Sequence, residues 1–301
     1  MASGHSSTEE MAPKKIKKER PAVRAFKDFY HRLKKNKAAL VGGYLIIFLI
    51  LVATIGPFLT TDGVNEVNYT QKLESPSTEN WFGTDHQGRD IFTRIIHGTG
   101  YTLLVGFLSV LMGGIVGTLL GIVSGYYGGK IDTVIMRFMD ILLAFPGILL
   151  ALAIISILGG NFINVIIAVA IFSIPTFARI VRGSTLATRE LEYVDAVKAL
   201  GAKDSRIIFK HILPNVLSPL IVQSTLQIAT AILTASGLSF LGLGAQPPSP
   251  EWGAMLNDGR NYMLDYGYIA LFPGLAIVLA VLAFNIFGDG LRDALDPKSK
   301  K

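Results

Sequence analysis

Few residues of this sequence have the types and spacing that catalysis requires. The chain has no cysteine, which excludes thiolate catalysis, disulfides and cysteine-ligated metals. It has no Gly-x-x-x-x-Gly-Lys-Ser/Thr phosphate loop, no His-Glu-x-x-His and no Gly-x-Ser-x-Gly. His86 has no second histidine at helical spacing, which favours a solvated loop over a metal ligand. The sequence therefore predicts a non-enzymatic chain that binds no metal or cofactor itself.

Ionisable residues are scarce within the apolar segments. Arg137 and Asp140 lie one helical turn apart near the start of the third such segment, close to its predicted cytoplasmic end. There they would either extend toward the lipid headgroups or form a local ion pair. A proton- or sodium-coupled carrier usually needs carboxylates in the middle of the membrane, so this scarcity argues against secondary transport.

One charged segment, 190–215, separates two apolar runs. Its first part favours a helix that ends at Gly201, and Asp204 is placed to cap a second short helix that runs to Leu213 before Pro214. The prediction is a helical hairpin lying across the inner face of a membrane. Its apolar residues available to a partner are Tyr193, Val194, Val197, Leu200, Ile207 and Ile208.

Composition places the elements that carry these residues in a bilayer. The 301 residues are 50% hydrophobic and 17% charged, and the mean hydropathy is +0.47. The apolar residues form runs of about twenty, the length at which a helix crosses roughly 30 Å of hydrocarbon. The fold class predicted is all-α, a polytopic membrane protein with about six transmembrane helices. The predicted spans are 39–59, 100–126, 134–158, 162–181, 215–242 and 268–288.

The basic residues predict the orientation. They are frequent before the first span, in the connection 182–214 and in the tail 292–301, whereas the connections 60–99 and 243–267 are poor in them. The positive-inside rule therefore places both termini and the 182–214 loop in the cytoplasm. Residues 1–21 are predicted to be a disordered basic tail, and 22–38 either an amphipathic helix at the lipid interface or a solvated basic leader. Because the basic residues adjoin apolar runs and do not alternate with aromatic ones, nucleic-acid binding is not expected.

Small residues and prolines mark the spans. Gly113, Gly117, Gly121 and Gly125 recur every four residues, which brings them to one helical face and predicts close helix packing there. Such a face serves either as fixed packing or as a seam that slides during transport. Prolines, which lie inside or near four spans, act either as hinges or as static kinks: Pro146, Pro175, Pro219 and Pro273.

The charged loop resembles that of the inner-membrane permeases of binding-protein-dependent ABC importers. That family has Glu-Ala-Ala, then a glycine, then Leu-Pro; Asp195-Ala196-Val197, Gly201 and Leu213-Pro214 stand at those places here. The departures are Asp for Glu and Val for the second Ala. Two further segments, 82–94 (Phe-Gly-Thr-Asp-His-Gln-Gly-Arg-Asp-Ile-Phe-Thr-Arg) and 239–253 (Ser-Phe-Leu-Gly-Leu-Gly-Ala-Gln-Pro-Pro-Ser-Pro-Glu-Trp-Gly), are similar to the dipeptide, oligopeptide and nickel branch. The resemblance extends over residues 35–297.

This resemblance implies a type I importer permease that carries peptides across the cell membrane; a nickel or other small-solute importer is the alternative within the family. It implies a second, similar permease, two ATPase subunits that hold ATP and magnesium, and an extracytoplasmic substrate-binding protein. The residues implied in coupling to the ATPases are Asp195, Ala196, Val197, Gly201, His211, Leu213 and Pro214.

Overall fold

The computed structural model of the chain describes residues 33–60 and 63–295, and this part is helical without a β-strand. The predicted tail 1–21, most of the predicted interfacial helix 22–38 and the last six residues lie outside it. The helices are α1 (Lys37–Ile55), α2 (Ile91–Tyr127), α3 (Gly129–Ala144), α4 (Gly147–Leu158), α5 (Phe162–Arg189), α6 (Glu192–Ala199), α7 (Asp204–Ile207), α8 (Leu213–Phe240), α9 (Trp252–Gly259) and α10 (Tyr268–Leu295).

Several of the long helices extend beyond the apolar runs that predicted them, and polar residues cap the start of two of them. α2 begins at Ile91, nine residues before the predicted start of its span, since the Asp90 carboxylate accepts from the backbone N–H of Thr93 at 2.7 Å. α5 begins after Asn161, which caps Asn164 at 2.9 Å, and continues to Arg189, eight residues past the predicted end.

The predicted third span, 134–158, is not one helix. It consists of α3 and α4, whose axes meet at 93°. Phe145 is extended, as a residue before proline prefers, and Pro146 has no N–H to continue the hydrogen-bond ladder of α3. Gly147 sits directly against the Phe172 ring of α5, which fixes the corner of the bend. The chain therefore has a right-angled break where the sequence predicted a continuous span.

The four spaced glycines of α2 face α5. A methyl group added at Gly117 would lie 2.5 Å from Phe177 Cβ and 2.7 Å from the Ile174 carbonyl, and Gly121 and Gly125 lie as close to Val181 and Thr185. Glycines four residues apart along α2 contact residues about four apart along α5, in the same order. The two helices therefore run parallel, with their backbones nearly touching.

This parallel arrangement determines how often the chain crosses the bilayer. Within the described residues, five helical stretches are long and apolar enough to span alone, and the bent pair α3–α4 is a sixth candidate. Because α2 and α5 point the same way, the chain between them returns from one side of the bundle to the other. The pair α3–α4 therefore counts as a crossing, and the total is six, as predicted.

The bundle exposes apolar side chains on its outer surface. Tyr44, Ile47, Phe48 and Leu51 of α1 are between 48% and 68% exposed, although α1 is buried on its other side against α10 through Gly42. A soluble chain would bury such a surface. Here it matches the hydrocarbon interior of a bilayer.

Candidate coupling hairpin and distal cap

A helical hairpin, residues 190–212, lies at one end of the bundle. Its first arm is α6, which is followed by Leu200 and then by Gly201, whose φ is +77°. The Gly201 N–H donates to Lys198 O at 3.0 Å, and the Ala202 N–H donates to Val197 O at 3.3 Å. This pair of bonds is a Schellman motif, which requires a left-handed residue at the position of Gly201. The turn predicted at that glycine is present.

The second arm differs from the prediction in two ways. Asp204 is the first residue of α7 and makes no capping hydrogen bond; instead its carboxylate accepts from the Tyr126 hydroxyl at 2.7 Å. The arm also does not stop before Pro214. A π-helical turn, Ile208–Ile212, leads straight into α8, in which Pro214 is the second residue. The hairpin is thus continuous with a span.

One side of the hairpin is anchored in an apolar cluster. The members come from the hairpin and from the ends of α2, α5 and α8 that lie beneath it. All are at most 6% exposed: Ile122, Val181, Val194, Ile207, Ile212 and Val216.

The other side of the hairpin is exposed. Leu200 is 87% exposed and Phe209 68%, an unusual state for large apolar side chains beside a charged segment. Among the residues that the resemblance implies in coupling, Asp195, Ala196, Gly201 and Pro214 are exposed, and Val197, His211 and Leu213 are half-buried.

A polar contact joins the two arms at the start of α8. The Asn215 side-chain amide donates to the Tyr193 hydroxyl at 3.0 Å and to the His211 carbonyl at 2.6 Å. The Tyr193 and His211 rings lie 5.9 Å apart. His211 thus lies at the junction of the arms, away from the exposed tip.

Charged residues connect the ends of the spans beneath the hairpin. The Arg189 guanidinium donates to the carbonyls of Gly125 and Tyr126 at 3.2 and 2.9 Å. Arg182 forms a two-pronged pair with Asp132 of α3 at 2.5 and 2.6 Å. Between the hairpin and these span ends lies a polar pocket of about 470 Å³, lined among others by Tyr127, Lys198 and Asp204.

Sequence reasoning missed these connecting residues. Tyr126 and Asp132 lie 50 or more residues before Arg182 and Arg189, and the parallel packing of α2 and α5 brings the two groups together. The available signal was the change from apolar to polar residues at the ends of both runs.

The opposite end of the bundle carries a second ordered region, here called the distal cap, residues 63–98 and 241–267. It joins the two other segments that carry the family resemblance. The Arg89 guanidinium, 2% exposed, binds Asp85 at 2.5 Å and also pairs with Asp258. Arg94 donates to the carbonyls of Pro248 and Ser249 at 3.3 to 3.4 Å. Two segments about 150 residues apart in sequence thus form one unit.

His86 lies in this cap and is more enclosed than predicted. Its Nε2 is 3.6 Å from the Asp258 carboxylate, and its ring stacks on Tyr262. Asp85, His86 and Asp258 lie close enough together to hold a metal ion. However, the buried guanidinium of Arg89 pairs with both carboxylates, and Arg94 lies 3.9 Å from Asp85, so two guanidinium groups balance the two carboxylates without a metal.

Glu251 is the most enclosed acid of the cap, at 2% exposure. Burial raises the pKa of its carboxyl, while hydrogen bonds from the Gly253 and Ala254 backbone N–H groups act in the opposite direction. Those bonds, at 3.0 and 2.9 Å, cap α9 and hold Trp252 in the core, where its indole donates to Ile95 O.

This fold, with six crossings, a helical hairpin at one end and no catalytic grouping among the described residues, is that of a membrane transport permease. The chain belongs to the family of binding-protein-dependent transport system inner membrane components, whose model matches residues 117–301. The model for the N-terminal transmembrane domain of oligopeptide transport permease C matches residues 25–76. It is a non-enzymatic, multi-pass membrane subunit of an ABC importer system, in which ATP hydrolysis resides in separate subunits.

Known proteins similar to this chain are also transport permeases. The chain is 53% identical to the dipeptide transport system permease protein DppC of Alkalihalophilus pseudofirmus over 279 residues, which are 93% of this chain and 92% of that protein. It is 50% identical to the glutathione transport system permease protein GsiD of Pectobacterium atrosepticum, over 91% of this chain and 92% of that one. A chain of the MetNI methionine ABC transporter, solved in inward-facing conformations, has the same fold, with a TM-score of 0.54 at 20% identity over 68% of this chain and 98% of that one.

Proposed function

We propose that this chain is one of two homologous permease subunits in a peptide-importing ABC complex, and that its hairpin receives the ATPase. The observation that carries the proposal is the two-sided hairpin: an apolar cluster fixes one side to the spans, and the other side leaves Leu200 and Phe209 uncovered. Exposed apolar anchors surrounded by charges are typical of a protein interface.

The assembly proposed contains two ATPase subunits, which hold ATP and magnesium, a second permease and an extracytoplasmic substrate-binding protein. The hairpin and both termini would face the cytoplasm, because basic residues are frequent in the connection 182–214 and toward both ends of the chain. The distal cap would then face the binding protein. No phosphate loop occurs in the sequence, so the energy must come from another chain.

The hairpin is built to move as a unit. The Schellman turn at Gly201 fixes the angle of α6, and α7 continues through the π turn into α8 without a break. When the ATPases close on ATP, a rigid hairpin would carry the attached span ends with it and rock the bundle between outward- and inward-facing states. Asp195, Ala196 and Val197 would contact the ATPase, and Gly201, His211, Leu213 and Pro214 would set the shape of the hairpin.

A peptide substrate is proposed because the relatives above are named for dipeptide and glutathione transport, and glutathione is itself a tripeptide. The group formed by Asp85, His86 and Asp258 does not favour nickel, because Arg89 and Arg94 together balance the charge of its two carboxylates. Uptake of a labelled dipeptide, but not of nickel, should be lost in cells that lack this chain and should return when the chain is restored.

Site-specific crosslinking tests the docking. Because the chain has no cysteine, Ala196→Cys gives a single thiol on the exposed side of the hairpin, and Thr78→Cys gives one on the distal cap as a control. The expected result is a crosslink to the ATPase from position 196 and none from position 78. Failure to capture an ATPase from 196 in the assembled complex would overturn the docking proposal.

A further inference from the structure

Helix α3 is attached to the bundle by charges more than by apolar packing. Met139 is its one buried residue. Two carboxylates reach α5 instead: Asp132 binds Arg182, and Asp140 binds Arg179 at 3.0 Å. The sequence had paired Asp140 with Arg137 as one of two alternatives, but the partner is Arg179 because α5 brings that side chain within reach.

The Asp140–Arg179 pair is exposed to the surroundings of the bundle. The side chains of Asp140 and Arg179 are 55% and 58% exposed. Arg137, one helical turn from Asp140, is exposed too, and no described residue pairs with it. The cluster of Arg137, Asp140 and Arg179 therefore contains one carboxylate and two guanidinium groups, and its net charge is +1.

The position of this cluster excludes contact with lipid tails. Arg179 lies ten residues before the end of α5, about 15 Å along a helix about 42 Å long. The hydrocarbon core is about 30 Å thick, so the cluster lies within its depth or at its border. Charged groups at that depth face protein or a water-filled cavity. The exposed side of α3 and α5 therefore borders water or a partner subunit, and not lipid tails, in the assembled permease.

We propose that Arg137, Asp140 and Arg179 line the inner part of the translocation path and that the cluster receives the carboxylate terminus of a passing peptide. The proposal rests on the proposed function. Guanidinium groups bind carboxylates through paired hydrogen bonds. Asp140 already holds Arg179, so the contact available to a substrate is weak, which allows release into the cytoplasm.

Thiol accessibility tests whether the cluster borders water. Ala144→Cys lies one turn beyond Asp140 on α3 and leaves all three charges in place. Ile47→Cys on α1, where the native side chain is 54% exposed, is the control for a position in contact with lipid. In inside-out vesicles holding the whole complex, a charged methanethiosulfonate reagent should modify position 144 rapidly and leave position 47 unmodified. Equal resistance at the two positions would overturn the proposal, since the α3 surface would then be covered by lipid or by the second permease.

Peptide protection tests the carboxylate contact in the same vesicles. A peptide with a free C-terminus should slow modification at position 144, and its C-terminally amidated analogue should not. Adding Arg137→Gln should weaken this protection about two- to fivefold, the range of an exposed ion pair, whereas Arg137→Lys should keep it. Equal protection by both peptides, or no effect of Arg137→Gln, would show that the cluster does not bind the peptide carboxylate. Crosslinking of the ATPase from position 196 should be unchanged in all these variants, which separates failure of this proposal from failure of the docking proposal.

Discussion

The Tyr126 hydroxyl donates a 2.7 Å hydrogen bond to the Asp204 carboxylate. Tyr126 belongs to the last turn of α2, and Asp204 is the first residue of α7. The bond thus joins the second span to the far arm of the hairpin, next to the apolar cluster that anchors it. Such a hydrogen bond fixes the orientation of α7 relative to α2, whereas apolar packing alone would allow the two helices to slide past each other.

Tyr126→Phe should therefore loosen the link between ATP hydrolysis and transport. The substitution should remove about 1 kcal/mol of stabilising free energy from the contact between α2 and α7, since the hydrogen bond is partly exposed. Transported peptide per ATP hydrolysed, measured in proteoliposomes, should fall, while ATPase binding persists. Tyr127→Phe is the matched control, because the neighbouring Tyr127 side chain is 50% exposed and forms no hydrogen bond with the described residues. An unchanged ratio in Tyr126→Phe would contradict this role.

Gly201→Ala should distort the hairpin. A side chain in the left-handed region costs about 1–2 kcal/mol, and the turn has no alternative residue to take up that conformation. Membrane insertion should remain normal, while ATPase co-purification and transport decline.

Gly183→Ala is the control for that variant. Gly183 lies within α5, and nothing lies within 4 Å of the added methyl group. Alanine there should preserve both ATPase binding and transport. If the two variants behave alike, the left-handed turn is not what positions the hairpin.

Gly117→Ala should separate α2 from α5. The added methyl group would meet the Ile174 carbonyl at 2.7 Å and the Ala178 backbone nitrogen at 3.1 Å, and backbone atoms give way less easily than side chains. Overpacking of this kind costs about 1–3 kcal/mol. The melting temperature of the purified complex in detergent should fall. Gly114→Ala, which would make ordinary 3.6–3.8 Å contacts with the Phe177 ring, should leave it nearly unchanged.

The stability of the distal cap should depend on pH through Glu251. Burial raises its folded-state pKa above the ordinary value of 4.5, so the folded chain keeps the proton at a pH where the unfolded chain has lost it. Stability contributed by this group is therefore lost as pH rises from about 4.5 toward the raised pKa.

Glu251→Gln should remove that part of the pH dependence, because glutamine does not titrate. The measurement is the thermal unfolding of the detergent-solubilised chain across a pH series. Glu79→Gln, on an exposed residue of the same cap, should keep the wild-type slope. The same slope in Glu251→Gln and the wild type would exclude the buried carboxyl as its source.

The sequence predicted the all-α class, six crossings and the turn at Gly201, because each depends on a local property: the length of an apolar run or the need for a left-handed residue. It failed where the outcome depends on distant partners. The right angle at Pro146 is stabilised by Phe172 of another helix. Asp204 was expected to cap its own helix, but Tyr126, 78 residues earlier, competes for its carboxylate.

The distal cap illustrates the same limit. Its two segments were recognised separately, and neither contained a sign that Arg89 would pair with Asp258, 169 residues later. Burial of that guanidinium could not be predicted from a charged loop, because charge alone predicts exposure. Contacts between separate segments became visible only in three dimensions.

The right-angled break between α3 and α4 bears on the fate of the chain when it is made without its partners. Their 16 and 12 residues correspond to about 24 and 18 Å of helix, so neither is long enough to traverse the lipid alone. An orphan subunit would present this corner and its charges to the lipid. Cells that produce it in excess should therefore clear it by membrane proteolysis, and its abundance should follow that of its partners.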